Sequence, residues 1–327
     1  MIAVLRLSLR VATGWFIALH AGMAASETLN LAVSHGPVSL AIYVAAADGL
    51  FDKEGLTVKQ LDCSSGRDCF RLMAEGAAEI ATAAELVATL NSFARQDLAM
   101  IATISTSSQQ IKLVGRRSAG ITLPAHLAGK RVGTVPGSSA QYFLDSWLLF
   151  HDIGPQQIKM VGLAPEQFTA SLQRAEVDAV AIWEPVASNA LSALGTDGLL
   201  LPTPRVYTQH FGLITTHGVI ASQEAALLKL LRALVRAERL IADDPARAGQ
   251  VLMARLGYSA ASAQAQLKEH DFRIRLDQSL VSTMSSQSRW ALREHYAKPA
   301  TGANRLANVV QPAMLRKVAP NAVALAR

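Results

Sequence analysis

The sequence predicts an α/β protein of two similar lobes that face one cleft. Three observations carry that reading. The stretch 171–185, SLQRAEVDAVAIWEP, nearly repeats 71–85, RLMAEGAAEIATAAE. In both, a Leu-led helix ends at small residues, an acid follows (Glu79, Asp178), an apolar strand comes next, and a Glu closes the unit (Glu85, Glu184). The opening strand of each half also runs into a Gly/Pro/Ser loop that leads to a helix. These loops are His35-Gly36-Pro37-Val38-Ser39 and Pro136-Gly137-Ser138-Ser139. Finally, 327 residues suffice for two lobes of ordinary size.

The elements follow from pattern. Strand 29–34 precedes helix 39–49, and residues 51–55 turn. Strand 57–62, helix 68–75, strand 79–83, helix 85–95 and strand 100–105 complete the first part of lobe I. Alternating strands and helices imply crossovers and a mostly parallel sheet. Residues 110–115 cross to lobe II, and 123–130 make a short helical turn. Lobe II holds strand 131–135, helix 139–151, strand 158–161, helix 165–174, strand 178–182 and helix 185–194. Pro202-Thr203-Pro204 marks the return, and strand 211–220 rejoins lobe I. Helices follow, the first capped by Ser222 and running to Asp243, then 245–256, 260–269, 278–296 and 305–318. The expected division is 26–110 for lobe I, 111–204 for lobe II, and 205–327 for the return and C-terminal helices.

Residues 1–25 read as an export signal. Arg6 and Arg10 precede the apolar run Val11–Ala21, and Gly22-Met23-Ala24-Ala25 offers small residues for cleavage near Ala25. The apolar run is about half the length of a membrane span, which favours removal over anchoring. A soluble, periplasmic mature chain is expected. Its formal charge would be about +4, down from +6, without a run of basic residues. Nucleic-acid binding wants a basic stripe with interleaved aromatics, so no nucleic-acid partner is expected. A mildly positive surface suits capture of a small anion.

Cys63 and Cys69 enclose SSGRD between a strand and a helix. In an oxidising compartment such a pair reads as a disulfide holding a loop at the cleft rim. Two free buried thiols are the alternative. The spacing is not Cys-x-x-Cys, and no second Cys or His pair completes a zinc site.

Catalytic patterns are absent from the sequence. Gly137-Ser138-Ser139-Ala140 lacks the second Gly of a nucleophile elbow, and there is no Walker loop, Rossmann glycine pattern or His-Glu-x-x-His. The eight His are scattered. A binding protein without metal or cofactor is therefore expected. Ser138 and Ser139 open a helix directly after a strand, where unpaired N–H groups accept an oxyanion. The loop 35–39 and the turn Ala83-Ala84-Glu85 offer further helix starts from the other lobe. Helix starts converging at strand ends are the usual ligand crevice of an α/β sheet. Trp183 ends a buried strand and supplies a flat apolar wall. Glu184 meets a ligand amine or favours the next helix through its dipole, and both roles stay open. Phe143 and Trp147 read as core, whereas Tyr142 has reach toward the cleft.

The chain resembles the sulfonate/nitrate/taurine-type solute-binding proteins of ABC importers, a family that also includes thiamine-precursor binders. The matching stretches are GPVSLAIYVAAADGLFDKEGLTV (36–58), MAEGAAEIATA (73–83), LAGKRVGTVPGSSAQYFLDSWL (127–148), AEVDAVAIWEP (175–185) and RIRLDQSLVSTMSSQSRWAL (273–292). The resemblance implies a two-lobed, type II periplasmic-binding-protein fold with two interlobe crossovers and hinge closure on the ligand. It implies a small anionic or zwitterionic ligand, an importer permease as partner, and a monomer. It places Pro37, Ser39, Ala84, Thr106, Gly137, Ser138, Ser139 and Trp183 at or near ligand-contacting positions. Val38-Ser39, Ala83-Ala84 and the CSSGRDC loop depart from the family pattern at the pocket rim. Some relatives of this architecture are enzymes of pyrimidine or thiamine-precursor synthesis, and export argues against that alternative.

Overall fold

The computed structural model describes residues 27–298 and 305–326; the expected export segment, 1–25, lies outside them. The first part of lobe I comprises β1 (Glu27–Ser34), α1 (Leu40–Ala47), α2 (Leu50–Lys53), β2 (Leu56–Cys63), α3 (Gly66–Ala74), β3 (Ile80–Ala84), α4 (Glu85–Asn91) and β4 (Leu98–Ser107). Lobe II comprises β5 (Ile111–Arg116), β6 (Arg131–Thr134), α5 (Ser139–Phe150), β7 (Lys159–Gly162), α6 (Phe168–Gln173), β8 (Ala179–Trp183), α7 (Val186–Leu194) and β9 (Gly198–Leu200). The chain returns with β10 (Gln209–Thr216), α8 (His217–Ser222), α9 (Glu224–Asp243), α10 (Pro245–Leu256) and α11 (Ala260–Glu269). It ends with β11 (Leu276–Asp277), α12 (Gln278–Arg293), α13 (Arg305–Val309), α14 (Ala313–Val318) and β12 (Val323–Ala324).

The two large sheets share one plan. Their strand orders are β2-β1-β3-β10-β4 and β7-β6-β8-β5-β9. In each, three strands pair in parallel, β1 with β2 and β3, and β6 with β7 and β8, as helical crossovers require. In each, one strand next to a crossover, β10 or β5, inserts antiparallel between the third and the last strand. The two-lobed α/β architecture expected from the repeated halves is therefore the observed one.

The repeated acids explain part of that likeness. The Glu79 carboxylate accepts from Asn30 N at 2.6 Å, tying β3 to β1. Asp178 accepts from Arg131 N at 2.9 Å and from its guanidinium at 2.7 Å, tying β8 to β6. The Arg131 bonds hold the Asp178 carboxyl below its usual range.

Helix α9 shows how pattern becomes packing. Leu227, Leu230, Leu231, Leu234, Ala237 and Ile241 recur at helical spacing and are buried in the lobe I core. Arg232 and Arg236 on the other side pair with Glu54 at 2.7 and 3.1 Å. Each buried Leu contributes about 1.5–3 kcal/mol. Lobe II has its own core around Phe143, Trp147 and Phe168, as expected for the first two. A third small cluster of Leu86, Trp290 and Ala291, with Tyr142 against it, joins the lobes. Among the described residues no helix is long and apolar enough to cross a membrane.

Several boundaries differ from expectation. Residues 111–116, expected only to cross, form β5, because their apolar side chains fill the lobe II core. Strand β10 stops at Thr216, whose side chain caps α8 by accepting from Val219 N. Ser222 is consequently the last residue of α8, and its hydroxyl bonds Gly218 O rather than capping α9. The expected helix 305–318 is split into α13 and α14 at Pro312, which lacks an N–H and turns the preceding residue from helix.

Candidate functional site

A cavity of about 690 Å³ opens between the lobes. Lobe I contributes the loop after β1, the start of α3, and the junction of β3 with α4. Lobe II contributes the loop before α5, the turn 162–166 and the end of β8.

The loop before α5 is built as a helix start. Ser138 Oγ accepts from Ala140 N at 3.2 Å and donates to Val135 O at 2.6 Å. Gly137 has φ +65°, which a side chain tolerates poorly, and its N–H donates to Gln141 Oε1 at 2.8 Å. The Gly137 amide is therefore occupied, and Ser138 and Ser139 line the cavity. Ser139 Oγ accepts from Gln209 Nε2 at 3.0 Å, a bond from lobe II to β10.

Cys63 and Cys69 form a disulfide with Cα atoms 5.5 Å apart. The whole enclosed loop, Ser64 through Asp68, lines the cavity. Gly66 lets α3 start against β3, since a Cβ there would lie 2.9 Å from Ala83 Cα. Asp68 accepts from the hydroxyls of Ser64 and Ser65. Burial opposes its ionisation, but those bonds outweigh it and hold the carboxyl below its usual range. Arg67 reaches across the cleft, where Nη2 donates to Pro136 O and Gly137 O, each at 3.1 Å. Sequence reasoning placed this loop at the rim and missed Arg67. The signal was a basic residue held inside a closed ring of seven residues, counted from Cys63 to Cys69.

Of the expected site residues, Ala84, Gly137, Ser138, Ser139, Trp183 and Glu184 line the cavity. Pro37, Ser39, Glu85 and Thr106 do not line it. Pro37 opens a buried 3₁₀ turn over Pro37–Ser39. Ser39 is fully buried and donates to Ser34 O at 2.8 Å, bracing the end of β1. Thr106 is committed to the C-terminal segment: its N–H donates to Asp271 O at 2.9 Å, and its hydroxyl accepts from Arg275 at 3.0 Å. Tyr142 turns from the cavity to pack edge-on against Tyr207 and Trp290, with ring centroids 5.1 and 5.4 Å away.

The two closing glutamates hold the crossovers. Glu85 is fully buried and accepts from Tyr207 Oη at 2.6 Å, His210 N at 2.8 Å and Gln287 Nε2 at 2.6 Å. Tyr207 lies in the return passage between β9 and β10, and His210 among the first paired residues of β10 itself. Burial pushes the Glu85 carboxyl up to about 7 against those three donors. Glu184 plays the corresponding part at the outward passage. Its carboxylate accepts from Ser188 N at 3.0 Å and Ser188 Oγ at 2.7 Å, and lies 3.3 Å from Lys112 Nζ. Gln110 accepts from Glu184 N at 2.9 Å through its carbonyl and donates to Glu184 O at 3.2 Å through its side chain. The Glu184 carboxylate is thus engaged by α7 and Lys112.

A family model described as NMT1/THI5 like matches residues 36–248. The taurine-binding periplasmic protein of Escherichia coli (strain K12) is 28% identical over 177 residues, which cover 54% of this chain and 53% of that protein. The chain thus spans about half the length of that relative. The alkanesulfonate-binding protein SsuA from Xanthomonas axonopodis pv. citri, bound to MOPS, has a similar structure with a TM-score of 0.73. It is 16% identical, and the match covers 93% of this chain and 100% of that one. DSZB in complex with biphenyl-2-sulfinic acid matches at a TM-score of 0.67 and 17% identity, covering 90% of this chain and 99% of that one. The solved structures share the fold, which is the two-lobed periplasmic-binding-protein fold. With its family model spanning well over half the sequence, the chain belongs to the NMT1/THI5-like family.

Proposed function

We propose that the protein is a periplasmic solute-binding protein. It captures a small anionic or zwitterionic molecule of the sulfonate, taurine, nitrate or bicarbonate type in its interlobe cleft. It then delivers that ligand to the permease of an ABC importer. The observation that carries the reading is the cavity itself: both lobes wall it, both crossovers border it, and Arg67 spans it. A ligand that touches both lobes favours the closed form by its extra contacts, the requirement for capture and handover. The E. coli taurine-binding relative and the SsuA fold neighbour support the ligand class.

The test is calorimetric titration with sulfonates, nitrate, bicarbonate and a thiamine-precursor pyrimidine, followed by product analysis. Saturable binding of an anion with no product is expected. Turnover of any probe would favour the enzyme alternative, and DSZB shows that this fold carries enzymes. No binding of any probe would overturn the reading.

A further inference from the structure

We infer that the ligand carries one anionic head on an apolar body without an ammonium group, and that Arg67 of the disulfide loop is the partner of the head. The inference rests on the proposed binding function and narrows its ligand.

The charges around the cavity are unequal in availability. Among the described lining residues, Arg67 is the only Arg or Lys. Among the described residues it makes no salt bridge, though its charge helps lower the neighbouring Asp68 carboxyl, and its described hydrogen bonds both run from Nη2, to two carbonyls. Its Nε and Nη1 donors remain for an oxyanion, which a guanidinium meets through paired N–H groups. His35, from the loop after β1, is the other basic side chain on the wall.

The carboxylates of the wall are Asp68, Glu166 and Glu184. Asp68 is turned to the hydroxyls of Ser64 and Ser65 beside Arg67 itself. Glu184 is buried, with 1% of its side chain exposed, and is taken by Ser188 and Lys112. Glu166 sits exposed in the turn Pro165–Gln167, where water already solvates it. A ligand ammonium entering this space would lose its hydration and gain no buried counter-charge, which is costly.

Much of the remaining wall is apolar, formed by Val38, Leu86, Leu90, Leu163, Trp183 and Phe211, beside the amides of Asn91, Gln110 and Gln209. Its volume of about 690 Å³ far exceeds what nitrate, bicarbonate or taurine fills. Such a wall is stabilised by burying an alkyl or aryl body.

The test is isothermal titration of the mature chain with a matched set of probes. 1-Propanesulfonate is taurine with a methyl group in place of the ammonium, 1-octanesulfonate lengthens the body, and 1-octanol removes the charge. 1-Propanesulfonate should bind at least about tenfold tighter than taurine, since an unpaired charge is left unburied. 1-Octanesulfonate should bind tighter again, and 1-octanol weakly. Arg67→Gln should weaken 1-octanesulfonate by about tenfold or more, with Arg67→Lys recovering part of the loss. Circular dichroism should be unchanged in both variants. Taurine binding as tightly as 1-propanesulfonate, or Arg67→Gln binding 1-octanesulfonate like the parent, would overturn the inference and leave the proposed function standing. If no sulfonate binds the parent, the inference falls, and the proposed function falls with it only if nitrate and bicarbonate also fail to bind.

Discussion

Replacing Glu85 by Gln should change how stability depends on pH, by an amount that the structure sets. The carboxyl is fully buried and is raised from 4.5 to about 7. The folded state therefore holds this proton more tightly than the unfolded chain. The resulting stability is fully present below about pH 4.5 and is lost as pH rises through about 7. A shift of that size corresponds to on the order of 3 kcal/mol across the window. His210 and His270 act in the opposite sense. Burial pushes each from 6.5 down to about 4, so their contribution is lost as pH falls through that range. The parent's own pH profile mixes these effects, and the difference between parent and Glu85→Gln isolates the carboxyl. Urea unfolding of both proteins at half-unit steps from pH 4 to 8.5 measures it. The variant should gain on the parent steadily between about pH 4.5 and 7, then hold level. Parallel profiles, or a parent that gains on the variant as pH rises, would refute the assignment of Glu85 as a buried carboxyl protonated near neutrality.

Trp183→Ala should weaken ligand binding by about 2 kcal/mol, roughly thirtyfold in Kd, as for a central aromatic anchor; calorimetry with 1-octanesulfonate reads it. Gly137→Val forces a β-branched residue to φ +65° and sets a Cβ 3.1 Å from the Tyr296 ring. It should cost about 1–3 kcal/mol of stability and weaken binding, because the displaced carbonyl is one that Arg67 grips. Glu184→Gln should cost about 1–2 kcal/mol in urea unfolding, since Lys112 keeps Glu269 at 2.8 Å, and should leave sulfonate affinity within about twofold. Reducing Cys63–Cys69 should lower stability by no more than about 2–3 kcal/mol and also loosen ligand binding, because the ring carries Arg67. Unchanged affinity after complete reduction, verified by thiol titration, would separate the ring from the site.

The fold was legible because its halves are written twice. Glu79 and Asp178 recur in sequence for a local reason, the bond each makes to the first strand of its lobe. Trp183 and the loop 137–139 were legible as lining the cavity because strand ends and helix starts converge at a crevice. Glu85 was not, although it occupies the same kind of junction. Its three donors lie 122, 125 and 202 residues further on, so only the folded chain shows that they consume it. Ser39 and Thr106 lie off the cavity for a related reason. The Ser39 hydroxyl donates to Ser34 O and the Thr106 hydroxyl accepts from Arg275, 169 residues further on, pairings that the local pattern does not encode. Arg67 was hidden by the opposite circumstance: a lone basic residue in a polar loop reads as solvated surface until the ring Cys63–Cys69 is seen to line the cavity.

The central claim is that an anion is held between the lobes with its head at Arg67. A crystal structure grown with 1-octanesulfonate, at a concentration that saturates binding in calorimetry, tests this most directly. The account predicts the sulfonate within hydrogen-bond distance of the Arg67 guanidinium and the octyl chain against Trp183. Sulfonate density elsewhere on the protein, with an unfilled cleft, would contradict it.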